Sequence, residues 1–163
     1  MPDPTPRRRA LAVVGAVAVL ALGACGTVQV PVGPHATDPV CAEIVQGAPP
    51  ALLGLEQQPT SSQGTLAWGR GEEAIVLRCG VTVPGPTRES CTTITDARGT
   101  EVDWIVREDE ETVLFTAYGR SPAIDISVPR ASAGDQPSAA VIDLAPLIAQ
   151  IPAERQCLGP EDV

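Results

Sequence analysis

Apolar residues change their spacing along the chain, and each change predicts a different element. An uncharged, mostly apolar run covers residues 10–24. Farther on, Asp38-Pro39 is a typical start for a helix, and the apolar residues that follow recur at helical spacing as far as Pro49-Pro50. A second helical face lies at residues 144–151, and Pro152 ends it.

Between these two helices the pattern is typical of short strands. The predicted strands cover 74–83, 91–95, 102–106, 112–118 and 123–128. The polar residues 56–64 are interpreted as a loop. Tight turns between residues 95 and 122 favour antiparallel pairing. The order predicts an α+β fold, with an antiparallel sheet of four to five short strands and the N- and C-terminal helices packed on one face, linked by a disulfide.

The first 25 residues are typical of an export signal. Arg7-Arg8-Arg9 precede the apolar run, which is too short to cross a bilayer of about 30 Å as a helix. The run ends in Leu22-Gly23-Ala24-Cys25, which resembles a bacterial lipobox. We therefore expect residues 1–24 to be a lipoprotein signal peptide and Cys25 to carry fatty acyl chains such as palmitate. The paired Arg residues also fit a loose twin-arginine pattern, so the export route stays open.

Cleavage before Cys25 leaves a strongly acidic protein anchored to the outer face of the cell membrane. It has 8 Arg (11 less three) and 19 acidic residues (20 less Asp3), a net charge of −11. Such a charge disfavours adsorption to anionic headgroups, so the acyl chains would hold the protein at the membrane. Residues 25–37 contain Pro and Gly without clear periodicity and are interpreted as the lipidated Cys and a flexible tether. Residues 38–163 are then a single domain.

Four further cysteines, Cys41, Cys79, Cys91 and Cys157, are an even number in an exported chain, which favours disulfides. Three pairings are possible. Cys79 and Cys91 flank a Pro-Gly-Pro turn, so we expect them to pair across a hairpin and Cys41 to pair with Cys157. A zinc site is disfavoured because the chain has no CxxC pair.

Composition narrows the function classes. The chain has no Lys and a net charge of −9, which disfavours nucleic-acid binding. Its one histidine, His35, lies in the predicted tether, which disfavours His-based nucleophilic catalysis and His-rich metal sites. We expect no cofactor, no metal and no catalytic residue.

Several motifs occur together in a distinctive order: Trp68-Gly69, the LRCG stretch at 77–80, Asp103-Trp104 and the YGRSP stretch at 118–122. In this order they resemble the actinobacterial family of exported or lipid-anchored envelope proteins called DUF3515, over about residues 38–157. The Gly69–Glu73 segment departs from the pattern, where the resemblance implies a shorter, Pro-containing segment. The resemblance implies an envelope location and a coherent fold, and no activity.

The leading hypothesis is a non-catalytic binding or accessory role toward a protein or an envelope polymer. Large amphipathic and cationic side chains dominate recognition sites, so the candidate binding residues are Trp68, Arg120, Arg78 and Tyr118. We expect an exposed patch near Trp68 and Arg120, with Arg120 in a turn that reaches an anionic group. Arg78 and Arg120 also have a structural alternative, in which each pairs with a carboxylate such as Asp103 or Asp125.

Two other functions remain as alternatives. One is a small-ligand-binding lipoprotein with a pocket between the helices and the sheet. The other is a carboxylate-based envelope hydrolase. Its candidate acids are Glu72, Glu73, Glu101, Asp103 and Asp125.

Overall fold

The fold is described by a computed structural model for residues 26–158. Within these residues the helices are α1 (Pro39–Gly47), α2 (Arg130–Ala133) and α3 (Ser138–Ile148). A single 3₁₀ turn lies at Gly71–Glu73. In residues 26–158 no helix is long and apolar enough to cross a membrane.

Eight strands form one sheet in which every neighbouring pair is antiparallel. They are β1 (Ala51–Leu52), β2 (Leu55–Gln58), β3 (Thr65–Trp68), β4 (Ile75–Val81), β5 (Cys91–Thr95), β6 (Glu101–Glu108), β7 (Thr112–Ala117) and β8 (Ala123–Pro129). Their order across the sheet is β1-β2-β3-β4-β8-β7-β6-β5. Consecutive strands are therefore neighbours in the sheet except for β4 and β5, because β4 lies beside β8.

The predicted fold class is wrong: the protein is mostly a single eight-stranded antiparallel sheet with few helices, instead of an α+β arrangement of four to five strands. The missed strands are β1, β2 and β3. β1 and β2 join through Leu53 and Gly54, both with positive φ, and a Leu at such a turn gives no hairpin signal in the sequence. All four residues of β3 are buried, so the strand shows no alternation.

The two longer helices lie on one face of the sheet, which we call the covered face. Asp38 caps α1, because its carboxylate accepts a hydrogen bond from the Val40 amide at 2.9 Å, and Pro39 occupies the first turn. α1 and α3 contact each other and the sheet. Between them and the strands lies one hydrophobic core, which includes both tryptophans, Trp68 and Trp104.

Within residues 26–158 the opposite face carries no helix, and we call it the open face. Alternation along β4 and β8 places Arg78 and Asp125 there, directly opposite each other across the two strands. Residues 82–90 leave β4 and must reach β5 past three intervening strands. They line a cleft together with side chains of β6, β7 and β8, so this loop crosses the open face.

The four cysteines that follow Cys25 in the sequence all form disulfides, as expected, but the predicted pairing is wrong. The bonds join Cys41 to Cys79 and Cys91 to Cys157. β4 and β5 are four strand spacings apart, about 19 Å, whereas a disulfide requires Cα atoms within about 7 Å. The Pro-Gly-Pro segment therefore belongs to a crossing loop instead of a hairpin, and Cys79 pairs with α1.

The N-terminal segment, residues 28–36, is packed instead of forming the expected flexible tether. Val28 makes a parallel bridge with Thr60, and Val30 is only 4% exposed. The His35 amide donates to the Gly80 carbonyl at 2.8 Å. Gly80 has φ of 79°, and a side chain there would collide with the His35 backbone. This docked stretch, which we call the N-terminal strap, lies against the open face.

Candidate functional site

The open face carries a polar cluster of Arg78, Asp125 and Thr116. The register pairs Asp125 with Arg78 on one side and with Thr116 on the other. Arg78 Nη2 donates to Asp125 Oδ2 at 2.8 Å, and Thr116 Oγ1 donates to Asp125 Oδ1 at 2.7 Å. Both carboxylate oxygens are therefore engaged, and the buried carboxylate fixes the guanidinium in one position.

Arg78 keeps donor capacity after this pairing. Its side chain is 32% exposed, against 11% for Asp125. Among residues 26–158 the side-chain hydrogen bonds of Arg78 go to Asp125 alone, through Nη2. A guanidinium has five N–H donors, so Nε and Nη1 remain for another acceptor.

A cleft of about 570 Å³ opens beside this cluster. The crossing loop forms one wall through Pro84, Pro86 and Thr87, and the strap contributes Pro34. Ile105 on β6 lines the floor. Polar and apolar surfaces thus converge on a concave space, which is the usual construction of a binding site.

An ion pair holds the crossing loop against the sheet. Arg107 on β6 donates to Glu89 from Nε at 2.6 Å and from Nη2 at 2.9 Å, a bidentate arrangement. The hydrogen bond from Arg107 lowers the pKa of Glu89 below its ordinary value of 4.5. The same hydrogen bond raises the pKa of Arg107. Both groups are charged at neutral pH, so the pair is present under ordinary conditions.

A second cleft of about 300 Å³ lies on the other side of Arg78. The strap walls it through Val30 and Pro31, and Val76 and Leu114 add apolar surface from the sheet. The strap is held there because Ser62 Oγ donates to the Val30 carbonyl at 2.5 Å and the Val30 amide donates to Ser61. Arg78 and Asp125 line both clefts and so stand between them, and we call the two clefts together the recess.

Trp68 lies in the core, away from this recess. It is fully buried on the covered face, and its Nε1 donates to the Pro49 carbonyl at 2.8 Å. An exposed patch built around Trp68 is therefore excluded. The reason is that Trp68 belongs to β3, an inner strand whose four residues are all buried.

Arg120 and Tyr118 are also buried, at 6% and 8% exposure. The Arg120 guanidinium donates to the carbonyls of Ile151 and Glu101, and burial lowers its pKa. These contacts hold the C-terminal segment against the start of β6. Arg120 is thus a structural clamp that binds backbone carbonyls, and its burial argues against the expected reach to an anionic ligand. Among residues 26–158 its hydrogen bonds go to these carbonyls and not to a carboxylate, the structural alternative.

Two of the five candidate acids of the hydrolase alternative, Asp103 and Asp125, have both carboxylate oxygens engaged by protein groups. Asp103 accepts from Thr93 Oγ1 at 2.6 Å and from the Cys157 amide at 2.7 Å. Asp125 is occupied as described above. In residues 26–158 no group of three or more His, Cys, Asp or Glu side chains could hold a metal ion.

The sequence named Asp125 as one of two example carboxylates for Arg78, but it did not indicate the other residues of the site. The missed residues are Thr116, Pro34 and the loop 82–90. A period-2 pattern in β7 and β8 places Thr116 and Asp125 on the face opposite the buried Phe115 and Ile126, which is a signal that the sequence offers. The predicted lipidation site, Cys25, lies outside the described residues.

Comparison with known proteins gives one result. A family model described as a protein of unknown function (DUF3515) matches residues 9–156. No curated protein and no solved structure matches the chain. Since the matched range covers nearly the whole chain, including every strand of the sheet, the chain belongs to the DUF3515 family.

Proposed function

We propose that this protein is a lipid-anchored envelope protein with a non-catalytic binding role, and that the open face is its binding surface. The observation that carries the proposal is the recess around Arg78. A partly exposed guanidinium, positioned by a buried carboxylate, lines two clefts with apolar walls. On the covered face the helices and the sheet enclose a packed core.

The docked strap supports a membrane-facing orientation for this surface. Cys25 is the expected acylated residue, and Val28 is the first residue that pairs with the domain. Three residues reach at most about 11 Å when fully extended. An acylated Cys25 would therefore hold the strap side of the domain close to the headgroups, where an envelope protein or polymer partner is available.

A non-catalytic role fits the state of the acidic residues. A glycoside hydrolase requires one carboxyl group to donate a proton and a second to act as base or nucleophile. Asp103 and Asp125 instead accept hydrogen bonds from neighbouring protein groups on both of their oxygens. Their geometry favours structural and positioning roles.

A small-ligand role is the second candidate, and the cleft volume favours it. About 570 Å³ lies within the range of about 300–1,000 Å³ that is common for small-molecule sites. The recess lies between the sheet and two chain segments, on the side opposite the expected pocket between helices and sheet. Both candidates thus use the same surface.

The anchor is tested by peptide mass spectrometry of the full chain purified from membranes. We expect a diacylglycerol adduct on Cys25 that is lost in Cys25→Ala. An unmodified Cys25 in the membrane-bound protein would contradict the anchor.

The binding surface is tested by photo-crosslinking in cells. One variant carries a photoreactive residue at Thr87, at the cleft on the open face, and its matched control carries one at the exposed Glu43 on α1. We expect a discrete adduct from position 87 and none from position 43. Adducts only from position 43 would place the binding surface on the helical side and overturn the proposal.

A further inference from the structure

Arg78 is placed as a receptor for an acidic group. We propose that the recess binds a ligand bearing a single oxyanion group, a carboxylate or a phosphate ester, on an otherwise uncharged body, and that Arg78 receives this oxyanion. This inference rests on the proposed function, because it names the ligand chemistry of the same surface.

Asp125 occupies only one nitrogen of the Arg78 guanidinium. Asp125 takes Nη2 at 2.8 Å, and Thr116 takes the other oxygen of that carboxylate at 2.7 Å. Nε and Nη1 are left for another acceptor. The Nη2 hydrogen that Asp125 does not use lies beside either Nε–H or Nη1–H, and the two together form one edge of the guanidinium that matches the two oxygens of a carboxylate or phosphate. A guanidinium already fixed in place loses little entropy on binding.

The other cation in the larger cleft, Arg107, is less available for a ligand than Arg78. Arg107 lines that cleft, but both its Nε and one Nη already hold Glu89. Arg107 is therefore committed to its own carboxylate. Of these two guanidiniums only Arg78 has both Nε and Nη1 uncommitted, and it also lines both clefts.

Charge limits the ligand to one such group. The charged side chains of the recess are Arg78, Arg107, Asp125 and Glu89, and their charges cancel. The surrounding protein is acidic, with a net charge of −9 for the whole chain. A polyanion would be repelled outside its one contact, whereas a single oxyanion satisfies the free donors.

The walls indicate the rest of the ligand. Val30, Pro31, Val76 and Leu114 line the smaller cleft, while Pro84, Pro86 and Ile105 line the larger. These surfaces favour an apolar or uncharged body that lies against the sheet on either side of Arg78.

The test is an NMR titration of the full chain in nanodiscs, with the Nε–Hε signals of the arginines as reporters. Butanoate and butyl phosphate are the single-oxyanion probes, 1-butanol is the uncharged probe, and tripolyphosphate is the polyanion. We expect saturable shifts at Arg78 with butanoate or butyl phosphate, and at least tenfold weaker binding of 1-butanol and tripolyphosphate. Which of the two oxyanions binds more tightly identifies a carboxylate or a phosphate ligand.

Variants establish that the site is Arg78. We expect Arg78→Gln to weaken oxyanion binding at least tenfold, whereas Arg98→Gln, at a side chain that is 77% exposed, changes it less than twofold. Arg78→Gln alone leaves the Asp125 carboxylate without its cation, so the double variant Arg78→Gln/Asp125→Asn removes both charges and guards against misfolding. Arg78→Lys keeps the charge but not the fork, and we expect an intermediate loss.

Unchanged oxyanion binding in the folded double variant would overturn the assignment, as would tighter binding of tripolyphosphate. If the titration shows no oxyanion binding at Arg78 while the photo-crosslink from position 87 still forms, the anion site is rejected and the binding surface on the open face is not. An unmodified Cys25 would reject the anchor and leave the titration result unaffected.

Discussion

The two faces of the sheet are built by different means. On the covered face, α1 and α3 bury a continuous apolar core, and the Cys41–Cys79 disulfide within it has both cysteines fully buried. On the open face, two irregular segments lie over a polar cluster, and each is held by a few hydrogen bonds or an ion pair. The comparison shows that one face supplies stability and the other leaves room for a ligand.

The same contrast distinguishes the two disulfides. Cys41–Cys79 spans 38 residues and lies in the core, whereas Cys91–Cys157 spans 66 residues and joins the edge strand β5 to the partly exposed C-terminal segment. Chain entropy alone gives each about 4 kcal/mol, slightly more for the longer loop. Packing further stabilises only the buried Cys41–Cys79 bond. Loop length therefore predicts that Cys91–Cys157 contributes more to stability, whereas packing predicts that Cys41–Cys79 does.

The largest expected effect is loss of the buried disulfide. We expect Cys41→Ala/Cys79→Ala to lower the free energy of unfolding by about 5 kcal/mol, because a cavity in the core adds to the lost cross-link. Cys91→Ala/Cys157→Ala should cost about 4 kcal/mol, because only the cross-link is lost. Chemical denaturation of the full chain measures both. The reverse ranking would mean that loop length matters more to these two bonds than packing on the covered face does.

The second effect concerns the strap. We expect Gly80→Ala to lower the free energy of unfolding by about 3 kcal/mol. An Ala at position 80 would have to adopt a positive φ, and its Cβ would collide with the backbone of His35 and Ala36. Gly99→Ala is the matched control, since Gly99 has a similar φ of 86° and open space around it. It should cost about 1 kcal/mol. The His35 amide should lose protection from hydrogen exchange in Gly80→Ala only, and retained protection would contradict a docked strap.

A smaller effect separates the two core tryptophans. Trp68 Nε1 donates to the Pro49 carbonyl, whereas the buried Trp104 Nε1 has no partner among the described residues. Trp68→Phe therefore loses a hydrogen bond that Trp104→Phe does not lose. We expect Trp68→Phe to be the more destabilising by about 1 kcal/mol in thermal or chemical unfolding. Equal costs would show that the Pro49 hydrogen bond contributes nothing measurable.

The smallest effect is on the crossing loop. The pKa of Glu89 is lower in the folded protein than in the unfolded chain, so its ion pair contributes above the ordinary pKa of 4.5 and is lost as pH falls through the lowered value. We expect hydrogen exchange in residues 82–90, corrected for the intrinsic rate, to increase in that acidic range. Glu89→Gln should remove this dependence. If the variant keeps it, another group holds the loop.

Local pattern identified much of the secondary structure. The limits of β5 are those predicted, and the alternation of Ile124, Ile126 and Val128 correctly indicated a strand whose apolar side chains share one face. The capping pattern at Asp38-Pro39 correctly located the start of α1. These features depend on neighbours within a few residues, so they can be recognised without knowing the fold.

Long-range arrangement could not be predicted in the same way. Pro84-Gly85-Pro86 gives the same local turn signal whether the chain folds back in a hairpin or crosses a sheet. The prediction assumed a hairpin, and the predicted disulfide pairing was wrong for that reason. The Pro- and Gly-containing strap gave no periodicity, yet it docks through backbone hydrogen bonds that are independent of side-chain pattern. Arg120 and Trp68 are residue types that are common in recognition sites, but the C-terminal segment covers Arg120 and the inner position of β3 buries Trp68.

The central claim is that the open face is the binding face, and hydrogen exchange in the membrane tests it most directly. Exchange of the full chain is compared between native membranes and purified protein in nanodiscs that lack other envelope components. We predict slower exchange in native membranes for residues 28–36 and 82–90, with α1 and α3 unchanged. Slower exchange confined to α1 and α3 would contradict the account.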